Sequence, residues 1–186
     1  MVRPLLTRLL LGPLLLGLAG PALAQPRPAP PPAAPAAPGP DRTTAQFGDW
    51  TLTCIGATGA RQCELTQTVQ DRQRQQTAVV ALGQTTRGVP PKLLVRVPGV
   101  ISVGVPLKLE LEATETLVLP FRFCGPTGCL AELELRDEAL LRRLRARPAD
   151  RPGRVQWRDG GNNEATFNLS FRGFAAALDA LARETR

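Results

Sequence analysis

The 186-residue chain carries 23 Lys and Arg against 16 Asp and Glu, a formal charge of +7, and contains neither histidine nor tyrosine. Without an imidazole there is no Ser-His-Asp or Cys-His catalysis, no histidine general base and no usual histidine-bearing metal site. What remains is a modestly basic chain, 43% hydrophobic and long enough to bury a core.

Residues 1–24 have the layout of an export signal: Arg3 and Arg8, an apolar run from Leu9 to Leu18, and a small-x-small cleavage site at Ala22-Leu23-Ala24. The mature chain is expected to start near Gln25 in a periplasm or the medium. The apolar run is broken by Gly12, Pro13 and Gly17 and falls short of the roughly 20 residues that span a bilayer. No later segment reaches that length, so no transmembrane segment is expected in the mature chain. No cysteine follows the cleavage site and the two arginines are not adjacent, which argues against a lipid anchor and twin-arginine export.

Residues 25–43 read as a Pro/Ala-rich linker. Eight of the sixteen residues from Gln25 to Pro40 are proline, a composition that favours extended polyproline II and offers nothing to bury. Residues 44–186 then form one domain's worth of chain. Removing Arg3 and Arg8 with the signal lowers the charge from +7 to +5.

In the folded region alternation dominates. Trp50, Leu52 and Cys54 share one face of a strand, and Cys63, Leu65 and Val69 continue the pattern after a Gly-rich turn. Thr77–Leu82, Leu93–Val97 and Val100–Val105 are β-branched or aliphatic runs bounded by Gly and Pro. Leu107, Leu109 and Leu111 alternate strictly with Lys108, Glu110 and Glu112, the period of a strand with one face in a core and the other in water. Leu117–Phe123 and Leu130–Leu135 flank Gly125-Pro126-Thr127-Gly128, which is hairpin punctuation. If Cys124 lies opposite Cys129, Phe121 and Phe123 share a face with Glu132 and Glu134. A one-residue bulge near the tip would restore the phase.

Asp137–Arg147 changes period: Leu140, Leu141 and Leu144 fit one helical face, acids open it, arginines close it and Pro148 stops it. Arg154–Arg158 and Ala165–Phe171 form a late hairpin whose apolar face is Val155, Trp157, Phe167, Leu169 and Phe171. Phe174, Ala177, Leu178 and Leu181 recur at helical spacing in a terminal helix. The sum is a mainly β, antiparallel, sandwich-like single domain with two short helices.

Four cysteines are an even set in an exported chain, the setting of disulfides. Three connectivities are possible. Cys54 with Cys63 and Cys124 with Cys129 is preferred, because each pair flanks a turn-like segment. Cys124-Gly-Pro-Thr-Gly-Cys129 has four residues between its cysteines where thioredoxins have two, and it lies in a hairpin rather than at a helix start, so a structural bridge is expected over a redox site. The spacing of the first pair is wrong for a zinc ribbon, and no metal or cofactor is expected.

Paired carboxylates at Glu110 with Glu112 and Glu132 with Glu134 could serve a small periplasmic hydrolase if they faced a cleft; in alternating strands they read as solvated faces. Asp159-Gly-Gly-Asn-Asn-Glu164 offers oxygen ligands, yet a plain turn explains it. The arginines Arg142, Arg143, Arg145, Arg147, Arg151, Arg154 and Arg158 are the best candidate for binding an anionic envelope polymer, and also read as an exposed helix face. Few aromatics interleave them, so no nucleic acid is expected.

Phe47-Gly48-Asp49-Trp50 with Cys54, Cys63-Glu-Leu-Thr-Gln67, Leu119-Pro-Phe121 with Cys124 and Cys129, and Leu169-Ser-Phe-Arg-Gly173-Phe174 occur in order. Together they resemble the invasion-associated locus B family of exported proteobacterial proteins, over about Phe47 to Leu181. The resemblance implies a periplasmic or surface-associated β domain, a role in host-cell invasion for pathogen members, and no catalytic residues. The expected function is that of a non-enzymatic interaction or envelope protein with an unknown protein or polymer partner.

Overall fold

The structure, a computed structural model, describes residues 42–56, 61–70, 76–84, 88–112 and 114–184, all within the compact unit Ala37–Arg186. The export signal, and the linker up to residue 41, lie outside the described residues. No helix among the described residues is long and apolar enough to cross a membrane.

Two antiparallel sheets and two helices enclose one core. The larger sheet contains β1 (Arg42–Phe47), β2 (Trp50–Ile55), β3 (Gln62–Gln70), β4 (Gln76–Gln84), β5 (Lys92–Val97), β8 (Phe121–Gly125) and β9 (Gly128–Glu134), in the order β1-β2-β3-β4-β5-β9-β8. The smaller contains β6 (Leu107–Glu112), β7 (Glu115–Leu119), β10 (Gly153–Arg158) and β11 (Glu164–Leu169), in the order β11-β10-β6-β7. Helix α1 (Glu138–Ala146) follows β9, and α2 (Phe174–Glu184) ends the described chain and packs on β1, β2 and β3.

The alternating residues converge inside. Leu65, Val80, Val95, Leu107, Leu119 and Val155 have no exposed surface, and Leu109 has almost none. The expected apolar face of the late hairpin is buried throughout. Helix α1 starts where its acids predict, Asp137 accepting the Ala139 N–H at 2.8 Å as N-cap.

Three expectations are corrected. The composition that assigned residues 42 and 43 to the linker missed β1, an exposed, polar edge strand held by its register with β2, from Arg42 opposite Ile55 to Phe47 opposite Trp50. Val100–Val105 is no strand: only Ile101 is buried, forming a single bridge to Asp159, because Gly99, Gly104 and two flanking prolines break the run. Leu117–Phe123 is two strands in different sheets, split at Pro120, whose missing N–H ends the ladder.

The expected bulge is present between Phe121 and Phe123. It turns Phe121 inward opposite Ala131, while Phe123, opposite Leu130, remains 63% exposed. Phase is restored for one ring alone.

Both preferred disulfides form, Cys54–Cys63 and Cys124–Cys129, each joining directly opposed residues of a hairpin. With sequence separations of 9 and 5 residues, each closes a short loop that on the chain-entropy model contributes about 2 to 3 kcal/mol. Replacing either pair by alanine should lower unfolding free energy by about that amount in urea titrations, and non-reducing peptide maps should show no link between Cys54 and Cys124.

Candidate functional site

Two segments distant in sequence meet where β1 turns into β2. Trp50, a buried side chain, donates Nε1 to the Ser170 carbonyl at 2.9 Å. Gln67, a buried polar side chain, donates Nε2 to the same carbonyl at 3.0 Å and accepts the Ser170 N–H at 2.9 Å. Ser170 Oγ donates to Asp49 at 2.6 Å and accepts the Arg172 N–H at 3.1 Å. The Arg172 guanidinium binds both oxygens of Asp49.

This network requires backbone to lie on backbone. Asp49 N–H donates to Arg172 O at 3.1 Å. A Cβ on Gly48 (φ 57°) would stand 2.5 Å from Arg172 O, and one on Gly173 (φ 83°) 2.1 Å from Phe47 O. Only glycine fits either position. Phe174, next in the chain, then packs tilted against Trp50 at 4.9 Å and edge-on to Phe171 at 5.5 Å, centroid to centroid, which seats α2.

The Arg172 hydrogen bond, followed by that of Ser170, holds the Asp49 carboxyl below its ordinary pKa, and Asp49 raises Arg172 in return. A carboxylate held ionised in this way is a poor general base for the hydroxyl that donates to it. The Ser170 cluster thus joins the two segments as a clasp.

A second feature is the outer face of the large sheet, on which no described element packs. Val79, Ala81 and Gly83 of β4, Leu94 of β5 and Leu130 of β9 point outward. Where Gly83 has no side chain, a shallow groove of about 350 Å³ opens between Thr53, Ile55 and Glu64 on one side and Lys92 and Leu94 on the other, with Val89 and Pro90 at its lip. Lys92 is paired with Glu132 at 2.9 Å.

A family model for the invasion associated locus B protein matches residues 50–182. The chain belongs to the invasion associated locus B family. The crystal structure of invasion associated protein B from Bartonella henselae has the same fold, with a TM-score of 0.63 at 21% identity over 76% of this chain and 96% of that one. No curated protein shows significant sequence similarity to this chain.

In this invasion associated locus B chain, the Phe47–Trp50 and Leu169–Phe174 motifs that carried the resemblance are the two halves of the clasp. The candidate arginines, by contrast, are spread over α1, the following loop and β10, and each meets a carboxylate. Arg142 pairs with Glu138 at 3.7 Å, Arg143 with Glu115 at 2.9 Å and Arg145 with Asp179 at 2.7 Å. Arg154 and Arg158 share Glu164 at 3.0 and 3.9 Å. Arg151 lies 3.9 Å from Glu112. Arg147 is nearly buried, 3.8 Å from Glu112, donating to Leu111 O at 2.7 Å with its guanidinium 4.9 Å above Phe171.

Of the paired acids, three meet cations, Glu112 lying near Arg147 and Arg151. Glu110 and Glu112 border a shallow depression with Thr116, Pro152 and Arg154, and Glu132 and Glu134 pair with Lys92 and Arg136. Cys54, Cys63 and Glu184 lie close enough to ligate a metal, but the two sulfurs are bonded to each other. Asp159 caps its own turn, accepting the N–H groups of Gly161 and Asn163 at 2.9 and 2.8 Å.

Gly83 and Leu94 are absent from the sequence-derived candidates. Their signal was present in the unbroken run Ala78–Leu82, apolar at both phases of a strand, the mark of a strand with little water on either face.

The clasp generates a pH and a steric prediction. Because Asp49's pKa is depressed in the folded state, its contribution is complete above the unfolded value of about 3.9 and is lost as pH falls through the folded value. Asp49→Asn should therefore flatten the acid limb of a stability-against-pH curve measured below about pH 4. Gly173→Ala should cost roughly 2 to 3 kcal/mol or more, against about 1 kcal/mol for Gly88→Ala. Gly88 has a similar φ of 80° but open space around it, so the difference in urea midpoints reads the backbone contact.

Proposed function

We propose that the protein is exported and acts without catalysis, as an envelope or surface interaction protein that offers the open face of its large sheet to a protein partner. The observation that carries this reading is the apolar stripe and groove around Gly83 and Leu94 on a face that an antiparallel sheet ordinarily gives to water. A bridge in each of two hairpins suits an oxidising compartment. The chain has no histidine, its Ser170 hydroxyl donates to a carboxylate already held by Arg172, and Glu132 and Glu134 are paired with Lys92 and Arg136. Membership of the invasion associated locus B family supports the same kind of role.

The test joins location to surface. N-terminal sequencing from a native-like host should give a start at or near Gln25; a form retaining Met1 in the cytoplasm would reject export. Gly83→Ile fills the groove on a strand that tolerates β-branched residues, and Glu64 Cβ lies 3.8 Å from the added Cβ, an ordinary contact. This variant should lose a cross-linked partner recovered with the wild type from periplasmic extract, at unchanged thermal midpoint. Equal recovery would remove the groove from the reading. Neutralising Arg142, Arg143 and Arg145 together should leave binding to acidic polymers unchanged from about 0.05 to 0.2 M salt, where the Debye length falls from roughly 14 to 7 Å.

A further inference from the structure

The stretch Pro98–Pro106 contains no charged residue, and its valines face water: Val100 is 80% and Val103 66% exposed. The stretch is nevertheless firmly built. Ile101 is buried and bridges Asp159, and Ser102 donates its N–H to Arg158 O at 3.0 Å and its hydroxyl to Asp159 O at 2.8 Å. Val100 O accepts from Gly160 at 2.8 Å and Ser102 O from Val105 at 3.1 Å. A braced loop that holds aliphatic side chains in water gains nothing for folding by doing so.

The neighbouring β8–β9 hairpin adds to this end of the molecule. Val97, just before the loop, is paired with Cys129, whose sulfur lies 3.8 Å from Gly99 O. The same hairpin holds Phe123, 63% exposed, outward beside Leu130.

Cations lie beside both parts of this end. Arg122, the bulge residue, is exposed next to Phe123, and Arg96 lies opposite Leu130. Lys108 lines a depression with Val105 and Arg158. Arg96, Arg122 and Lys108 belong to none of the ion pairs among the described residues. Of the nearby acids, Glu164 is taken by Arg154 and Arg158, and Asp159 is occupied by its own turn.

We propose that this end, formed by Val100, Val103 and Phe123 with Arg96 and Arg122 on the hairpin side and Lys108 on the Val105 side, docks on an anionic lipid surface. Apolar side chains entering the interface need a backbone whose polar groups are already satisfied, which the bracing of the loop supplies. Unpaired cations at their rim match the phosphate plane. Exposed aliphatic side chains on a braced loop suit a deformable surface better than a shaped pocket. The groove at Gly83 opens at the other end of β5, near Lys92 rather than Val97, so a lipid-bound molecule would still present it.

The experiment uses the mature chain from Gln25 to Arg186, with vesicles of equal parts phosphatidylglycerol and phosphatidylcholine or of phosphatidylcholine alone. The protein should sediment with the anionic vesicles and at least ~fivefold less with the neutral ones, since each cation near the surface is worth about a fivefold factor. Val100→Asp with Val103→Asp, and separately Phe123→Ser, should each reduce the bound fraction several-fold at unchanged thermal midpoint. Arg96→Gln with Arg122→Gln should reduce the preference for anionic vesicles. Equal sedimentation of the wild type, the double aspartate variant and Phe123→Ser would overturn the proposal. So would sedimentation-velocity runs in which these substitutions abolish a dimer while vesicle binding is unaffected, because a second copy would then cover the tip.

Discussion

The fold depends on one contact, the close approach of the Phe47–Gly48 backbone to Arg172–Gly173. It joins the first hairpin of the large sheet to the segment leaving the last strand of the small one, and it fixes where α2 begins. The visible Asp49–Arg172 ion pair is the lesser part of it. Arg172 is 69% exposed at its side chain, and exposed pairs contribute about 0 to 1 kcal/mol. The buried bonds of Trp50 and Gln67 to Ser170 matter more, because leaving such a group unpaired costs about 1 to 3 kcal/mol. Phe174, one residue beyond Gly173, converts the position of that backbone into the position of a helix.

The period-2 and period-3.6 patterns made most elements legible in the sequence, because they report which side chains meet the core and require no knowledge of partners. The failures share one cause: the deciding constraint was not a side-chain pattern. Strand β1 forms through backbone pairing with β2 and shows no alternation in RTTAQF. Pro120 hands the chain from one sheet to the other within an apolar run that looks continuous. The valines of Val100–Val105 have high β propensity, but only Ile101 finds a core. The bulge was legible because placing Cys124 opposite Cys129 put aromatics beside glutamates, a conflict only an extra residue could relieve.

The candidate arginines illustrate a different limit. A basic run in sequence says nothing about acids brought beside it by folding. Glu115 of β7, Asp179 of α2 and Glu164 of β11 reach Arg143, Arg145 and Arg154 from elements 28, 34 and 10 residues away. Much of the charge in its densest arginine cluster is therefore offset by partners from other elements. Unpaired cations among the described residues include Arg96, Arg122 and Lys108, which no run or motif groups along the chain.

The open face of the large sheet gains meaning from how its edges are treated. An exposed edge strand ordinarily invites another strand to pair with it. Here β1 presents a short polar edge, and β8 is limited by Pro120, bulged at Arg122 and cross-linked at Cys124. Each of these features discourages a continuous added ladder. With strand addition disfavoured at both edges, the apolar surface that remains for recognition is the face itself, where Gly83 leaves a slot and Leu94, Ala81 and Val79 supply flat contact area. Such a surface selects a partner by side-chain shape rather than by backbone pairing, which allows binding without templated aggregation.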